Sequence, residues 1–140
     1  MSDNKFFFSW LICTLVMLGA SYAWHGLFLN DLIRLDYSIN LFYALAATAY
    51  VVLGFFLTVA IYYIKSGKNS YINGLAIGGG MGLLVYFLAF VFGISFNSTI
   101  ELEMILVDAT WQVFEQSIGG LVCGLVYRFL FLREGYLARA

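Results

Sequence analysis

Four long apolar stretches make up most of the chain, at about residues 6–28, 41–64, 72–95 and 104–132, and short polar segments separate them. Each stretch is long enough for an α-helix to cross a bilayer, which takes roughly 20 residues. The continuous apolar runs exclude a transmembrane β-barrel, whose strands alternate apolar and polar residues. Because the connections are short, neighbouring helices are expected to run in opposite directions. The pattern predicts an all-α polytopic membrane protein, a single antiparallel four-helix bundle.

The composition points to the same class of protein. Hydrophobic residues make up 63% of the 140 residues and charged residues 11%, whereas soluble domains carry about 25% charged residues. The net charge of −1 leaves no basic patch for phosphates, so the lipid bilayer is an expected partner and nucleic acid is not. Cys13 and Cys123 both lie in apolar stretches and are expected to pack as small hydrophobic residues rather than to form a disulfide or metal pair.

Basic residues are distributed unevenly between the two sides of the predicted bundle. Six of the seven fall on one side: Lys5, Lys65, Lys68, Arg128, Arg133 and Arg139. The positive-inside rule therefore predicts that both termini are cytoplasmic. Segment 29–40 mixes apolar and polar residues at near-helical spacing and is predicted to lie at the outer interface. Several tyrosines, among them Tyr62 and Tyr127, lie near the ends of the stretches, and most of this group is expected to anchor at the membrane surface.

Polar residues interrupt the fourth stretch on one helical face. Asp108, Gln112, Glu115 and Gln116 recur there at helical spacing, with Trp111 beside them. An ionised carboxylate near the bilayer centre costs roughly 2.5–3.5 kcal/mol on insertion scales. Such residues therefore face a bundle interior or a wet cavity and mark function. Glu115 lies deepest and is expected to hold a proton or bind a cation.

The only histidine, His25, lies about one turn inside the outer end of the first stretch. Asp108 lies at a similar depth, and an imidazole beside a carboxylate can hold a proton. Glu115 lies about 10 Å deeper by helix rise, so the three residues can form stations on a proton or cation path. Alternatively, His25 is a hydrogen-bonded packing residue, and Asp108 lies in headgroup water at a helix N-terminus. Zinc binding by these three residues would require two helices to converge, so the metal is left undetermined.

Glycines recur every four residues in the third stretch, at Gly74, Gly78 and Gly82, and form one smooth face. The fourth stretch carries Gly120 and Gly124. Small residues let helix backbones approach closely in lipid, so the two stretches are expected to pack together as a hairpin. The alternative use of the glycine face is a contact between two copies of the chain.

The second half of the chain, from Gly78 to Arg128, resembles uncharacterised families of small bacterial inner-membrane proteins with four helices. The likeness rests on the glycine-rich third stretch, from Gly82 to Tyr86, and on the Val-Asp-x-x-Trp motif that ends at Trp111. The resemblance implies the four-helix fold and the membrane location. Those families bring no established activity, so no catalytic residue is carried over.

The sequence leaves three classes of function. The first is ion- or proton-linked transport or a channel-like activity, in a homo-oligomer, that uses the carboxylate stripe. The second is an accessory or assembly subunit whose stripe docks against a partner helix in a larger membrane complex. The third, a membrane enzyme, is disfavoured because short connections leave little room for an active site, and no cofactor is predicted. Transport is placed first because of the depth of Glu115.

Overall fold

The computed structural model describes residues 3–28, 38–64, 70–94 and 102–137, which form four long helices. Helix α1 spans Asp3–Tyr22 and continues into a π-helical segment, Ala23–Phe28. Helix α2 spans Ile39–Tyr63, α3 spans Ser70–Ile94 and α4 spans Leu102–Leu137.

Helix α2 begins two residues before its predicted start at residue 41, because Ser38 caps it. The Ser38 side chain accepts a hydrogen bond from the backbone N–H of Leu41 over 3.4 Å. The last residues of the predicted interfacial segment 29–40 therefore belong to α2, while residues 29–37 lie outside the described part of the chain. Helix α4 continues five residues past its predicted end at residue 132.

All four described helices contain a segment that is long and apolar enough to span a membrane. These segments are Asn4–Phe28, Ile39–Tyr63, Ser70–Phe92 and Ile105–Leu130. Large apolar side chains such as Phe8, Leu83, Phe87 and Phe129 point outward and are exposed. Soluble monomers rarely expose large contiguous apolar surfaces. The prediction of an all-α protein with four helices long and apolar enough to span a membrane is confirmed.

Glycines bring the backbones of α3 and α4 into contact. A Cβ atom on Gly74 would overlap the carbonyl oxygen of Gly120, and one on Gly78 would overlap that of Gln116. Gly82 packs in the same way one turn further along α3. Residue numbers thus rise along α3 as they fall along α4. The glycine face is filled by α4 of the same chain, rather than left open for a second copy.

Two hydroxyl groups form hydrogen bonds between α3 and α4, one near each end of the pair. Ser70 donates a hydrogen bond to the carbonyl oxygen of Gly124 over 2.9 Å, and Tyr86 donates one to the carbonyl oxygen of Ile105 over 2.8 Å. Both bonds connect a side chain to the backbone of the other helix, so they hold the alignment that the glycines permit.

The buried core lies between α1, α2 and α4, and consists of Cys13, Met17, Leu57, Ile61 and Cys123. Gly119 makes room for it, because a Cβ atom there would overlap the Met17 sulfur. Helix α3 packs mainly on α4. The face of α4 that carries Gly119 therefore points toward α1 and α2. Glu115 lies on the same face one turn earlier, so it is also in the interior.

Candidate functional site: a buried carboxyl group in helix α4

Glu115 lies inside the bundle, well within the apolar segment of α4. Ten residues, or about 15 Å of helix, separate it from Ile105 at the start of that segment. Its side chain is 0% exposed. Trp111, one turn earlier, donates its indole N–H to Oε2 of Glu115 over 3.0 Å. The carboxyl group is therefore enclosed by protein and held through one oxygen.

Tyr50 of α2 approaches the same carboxyl group. Its hydroxyl group lies near enough to interact with both Glu115 and Ser21 of α1. Oε1 of Glu115 nevertheless has no partner in good hydrogen-bond geometry. One carboxyl oxygen is thus hydrogen-bonded to an indole, the other keeps its lone pairs available, and a phenol lies close to the carboxyl group.

Unpaired polar atoms are concentrated around this group. Within the described residues, the buried side-chain nitrogen and oxygen atoms that lack a hydrogen-bond partner belong to Trp24, Glu115 and Gln116. Gln116 is 0% exposed, and both polar atoms of its amide are unpaired. A buried unpaired group costs about 1–3 kcal/mol. Groups of this kind in a native fold call for an explanation, and a functional role is one of the few available.

A pair of stacked indoles orients the donor to Glu115. The rings of Trp24 and Trp111 lie nearly parallel, at 8°, with their centroids 4.2 Å apart. Trp24 belongs to the π-helical segment that extends α1. Such turns are rare and occur frequently at functional sites. The stack restricts rotation of the Trp111 ring, and so keeps its N–H directed at the carboxylate.

Unlike Glu115, His25 and Asp108 are not fully buried. His25 lines a cavity of about 420 Å³ between α1 and α2, whose wall also includes Ser21 and Tyr43. Asp108 is exposed and lies near enough to Tyr86 of α3 to interact with it electrostatically. The predicted pairing of His25 with Asp108 stays a prediction.

The residues of the predicted polar stripe of α4 differ in how far they are buried. Glu115 and Gln116 are enclosed, Trp111 and Gln112 are half-buried, and Asp108 is exposed. The backbone carbonyl of Gln112 contacts α3. Helical spacing places all these residues near one face, but the neighbouring helices cover only the inner part of that face.

Sequence reasoning missed a second polar cluster in the other half of the bundle. The Thr58 hydroxyl oxygen lies 3.5 Å from the sulfur of Cys13 and 3.5 Å from that of Cys123. The hydroxyl groups of Ser9 and Tyr62 lie 3.2 Å apart. Both cysteines are buried free thiols, as expected for packing residues, but their positions along the chain did not show that they meet.

Two of the tyrosines near the ends of the apolar stretches are core residues. Tyr62 and Tyr127 are buried, and their rings pack edge to face with centroids 4.5 Å apart. They lie near the ends of the apolar segments, but on the faces that α2 and α4 turn toward each other. A position near a span end therefore did not distinguish a surface anchor from a core residue.

A four-residue repeat in the first helix is the signal that could have revealed this arrangement. Its members are Ser9, Cys13, Met17, Ser21 and His25, and residues four apart are neighbours on a helix surface. Polar members of this repeat form, with residues of α2 and α4, what we call the polar seam. Its outer half, named for the end that the charge pattern predicts to face outward, is Ser21, Tyr50, Glu115 and Gln116, and its inner half is Thr58, Cys13, Cys123, Ser9 and Tyr62.

Comparisons with known proteins do not name a function. No family model, curated protein or solved structure matches the chain. The resemblance to four-helix inner-membrane families stays a prediction, so the function is argued from the site.

Proposed function

We propose that this protein is a small proton-linked transport or channel-like membrane protein in which Glu115 binds the proton. One observation carries the proposal: a fully buried carboxyl group deep in an apolar span keeps one unpaired oxygen beside a phenol. An ionisable group in hydrocarbon is expensive, and acidic residues inside membrane helices characteristically serve proton relays. Glu115 has the placement that such a relay requires.

The neighbours of Glu115 favour a proton over a metal ion. The Trp111 N–H is a donor, which suits a carboxyl group and would oppose a nearby cation. A hard cation instead needs several oxygen ligands. Among the described residues, no three His, Cys, Asp or Glu side chains converge. A carboxyl group can accept and release a proton with only the donors present here.

The enclosed position of the stripe argues against the accessory-subunit alternative. A docking surface must be exposed to its partner helix before assembly. Glu115 and Gln116 are instead covered by helices of their own chain, and Asp108 is the exposed carboxylate of the stripe. Formation of a homo-oligomer stays a prediction.

We further propose that the helices cross a bacterial inner membrane as an antiparallel bundle with both termini in the cytoplasm. The distribution of lysine and arginine supports this orientation, and the opposed numbering of the α3–α4 contacts supports the antiparallel hairpin. Reporter fusions after Asp36 and Asn97 should then report the periplasmic side, and a fusion after Lys68 the cytoplasmic side. A periplasmic signal at Lys68 would contradict the orientation.

Proton flux into liposomes tests the proposed function. Vesicles that contain the purified protein and a trapped pH-sensitive dye should take up protons under a potassium diffusion potential, well above the rate of empty vesicles. Dicyclohexylcarbodiimide, an apolar reagent that modifies protonated carboxyl groups, should abolish this flux. Peptide mass spectrometry should locate the adduct at Glu115 and not at the exposed Glu103.

Two results would overturn this proposal. One is a flux that stays at the level of empty vesicles. The other is a flux that persists after Glu115 has been labelled completely, because the proton would then be crossing elsewhere.

A further inference from the structure

The outer half of the polar seam connects Glu115 to a cavity. The cavity that His25 lines has Ser21 in its wall, the Ser21 hydroxyl is a neighbour of Tyr50, and Tyr50 is a neighbour of Glu115. Ser21 lies seven residues, or about 10 Å of helix, from the outer end of its apolar segment. Tyr50 lies eleven residues, or about 16 Å, from the outer end of the apolar segment of α2. Ser21 thus lies nearer the outer end, and Tyr50 lies at about the same depth as Glu115, which is ten residues from the start of its own segment.

Ser21 and Tyr50, which we call the hydroxyl relay, have the chemistry that proton transfer needs. A hydroxyl group can accept one proton while it donates another. The Tyr50 oxygen can accept a proton from the Ser21 side as its own proton passes to Oε1 of Glu115, which has no hydrogen-bond partner. One proton enters, one proton arrives, and rotation of the hydroxyl group resets the phenol.

On the other side of Glu115 the polar seam is interrupted. Met17 and Leu57 are 0% exposed and pack against Gly119, one turn further along α4. Neither side chain can relay a proton, because a thioether has no proton to donate and leucine has no polar atom. We call these two residues the apolar layer. The seam resumes beyond it at Thr58.

We propose that Glu115 exchanges its proton with the outer cavity through the hydroxyl relay, and that the apolar layer is the barrier toward the inner half of the polar seam. The inference rests on the proposed function, since it takes Glu115 as the proton-binding group. It assigns two separate tasks. The hydroxyl relay determines how fast Glu115 is protonated, and the apolar layer determines how fast the proton moves from Glu115 to the inner half of the polar seam.

Tyr50→Phe tests the relay, because it removes a hydroxyl group and keeps the ring that packs between helices. Proton flux should fall by about 100-fold, which is typical for the loss of a positioned proton-transfer group. Tyr63→Phe is the matched control, since Tyr63 lies on the same helix and is exposed, and its flux should equal that of the wild type. Carbodiimide should still label Glu115 in Tyr50→Phe on long incubation, which would show that the site is intact.

Ser21→Ala provides a second test at the cavity wall and keeps the experiment decisive if Tyr50→Phe does not fold. It should show the same loss of flux. If Tyr50→Phe or Ser21→Ala conducts like the wild type while labelling of Glu115 still blocks flux, the relay is overturned and the proposed function stands. If the wild type itself does not conduct, the proposed function has failed first.

Met17→Gln tests the apolar layer. Glutamine has a similar length and adds an amide that can donate and accept, so it should connect the two halves of the polar seam and raise the flux several-fold. Met17→Leu is the matched control, because it stays apolar and should conduct like the wild type. Equal fluxes in Met17→Gln and Met17→Leu would overturn the assignment of the barrier.

Discussion

Gly120→Ala should strongly destabilise the packing of α3 on α4, whereas Gly80→Ala should be tolerated. A Cβ atom at Gly120 would overlap the carbonyl oxygen of Gly74, a backbone atom that can move only if the helix moves with it. Overpacking costs typically ~1–3 kcal/mol and occasionally more, which corresponds to a fall in Tm of roughly 10 °C at the upper end. A Cβ atom at Gly80 would meet none of the described atoms within 4 Å.

Thermal stability in detergent, followed by the monodisperse fraction in size-exclusion chromatography after heating, measures this difference. Gly119→Ala provides an intermediate case, because the added atom would overlap the flexible end of Met17 instead of a backbone oxygen. The expected order of Tm is Gly80→Ala highest, then Gly119→Ala, then Gly120→Ala. Equal Tm values for Gly120→Ala and Gly80→Ala would show that the close α3–α4 contact does not hold the fold together.

Glu115→Gln should abolish proton flux and leave the protein folded. The amide has nearly the shape of the carboxyl group, and its oxygen can still accept the indole N–H of Trp111, but it binds no proton at ordinary pH. Glu115→Leu should likewise be inactive while it inserts at least as well as the wild type, since it removes a costly polar group from an apolar span.

The measurement is the liposome flux together with the yield and Tm of each variant. Glu103→Gln is the matched control: it makes the same change on the same helix at an exposed position, and it should conduct like the wild type. Full flux in Glu115→Gln would exclude this carboxyl group as the proton site. Loss of flux accompanied by loss of the folded protein would instead make Glu115 a structural residue.

The helices and the α3–α4 contact were predictable because they depend on simple periodicities. Apolar runs longer than a bilayer crossing predict four helices, and Gly74, Gly78 and Gly82 recur at a spacing that leaves one helical face smooth. Both features are local properties of the chain. They can therefore be predicted without knowing which helix packs on which.

The partners of Glu115 were not predictable, because they depend on the arrangement of α1 and α2 around α4. Helical spacing grouped Asp108 with Glu115, but only the neighbouring helices determine that one is exposed and the other enclosed. Tyr50 stands in an ordinary apolar stretch, and nothing in its local sequence points to a carboxyl group on another helix. The π-helical segment, which positions Trp24, also has no simple sequence signal.

Helix α3 has two faces with different mutational tolerance. It packs mainly on α4 through its glycine face, and Ile77 and Met81 also pack against the core. On the outward face of α3, which carries Leu83 and Phe87, one apolar side chain can replace another at little cost over evolution. Its glycine face cannot vary in this way, because any larger residue meets the backbone of α4. Selection should therefore hold five glycyl positions, Gly74, Gly78, Gly82, Gly120 and Gly124, nearly fixed even though they contribute no side chain to the Glu115 site.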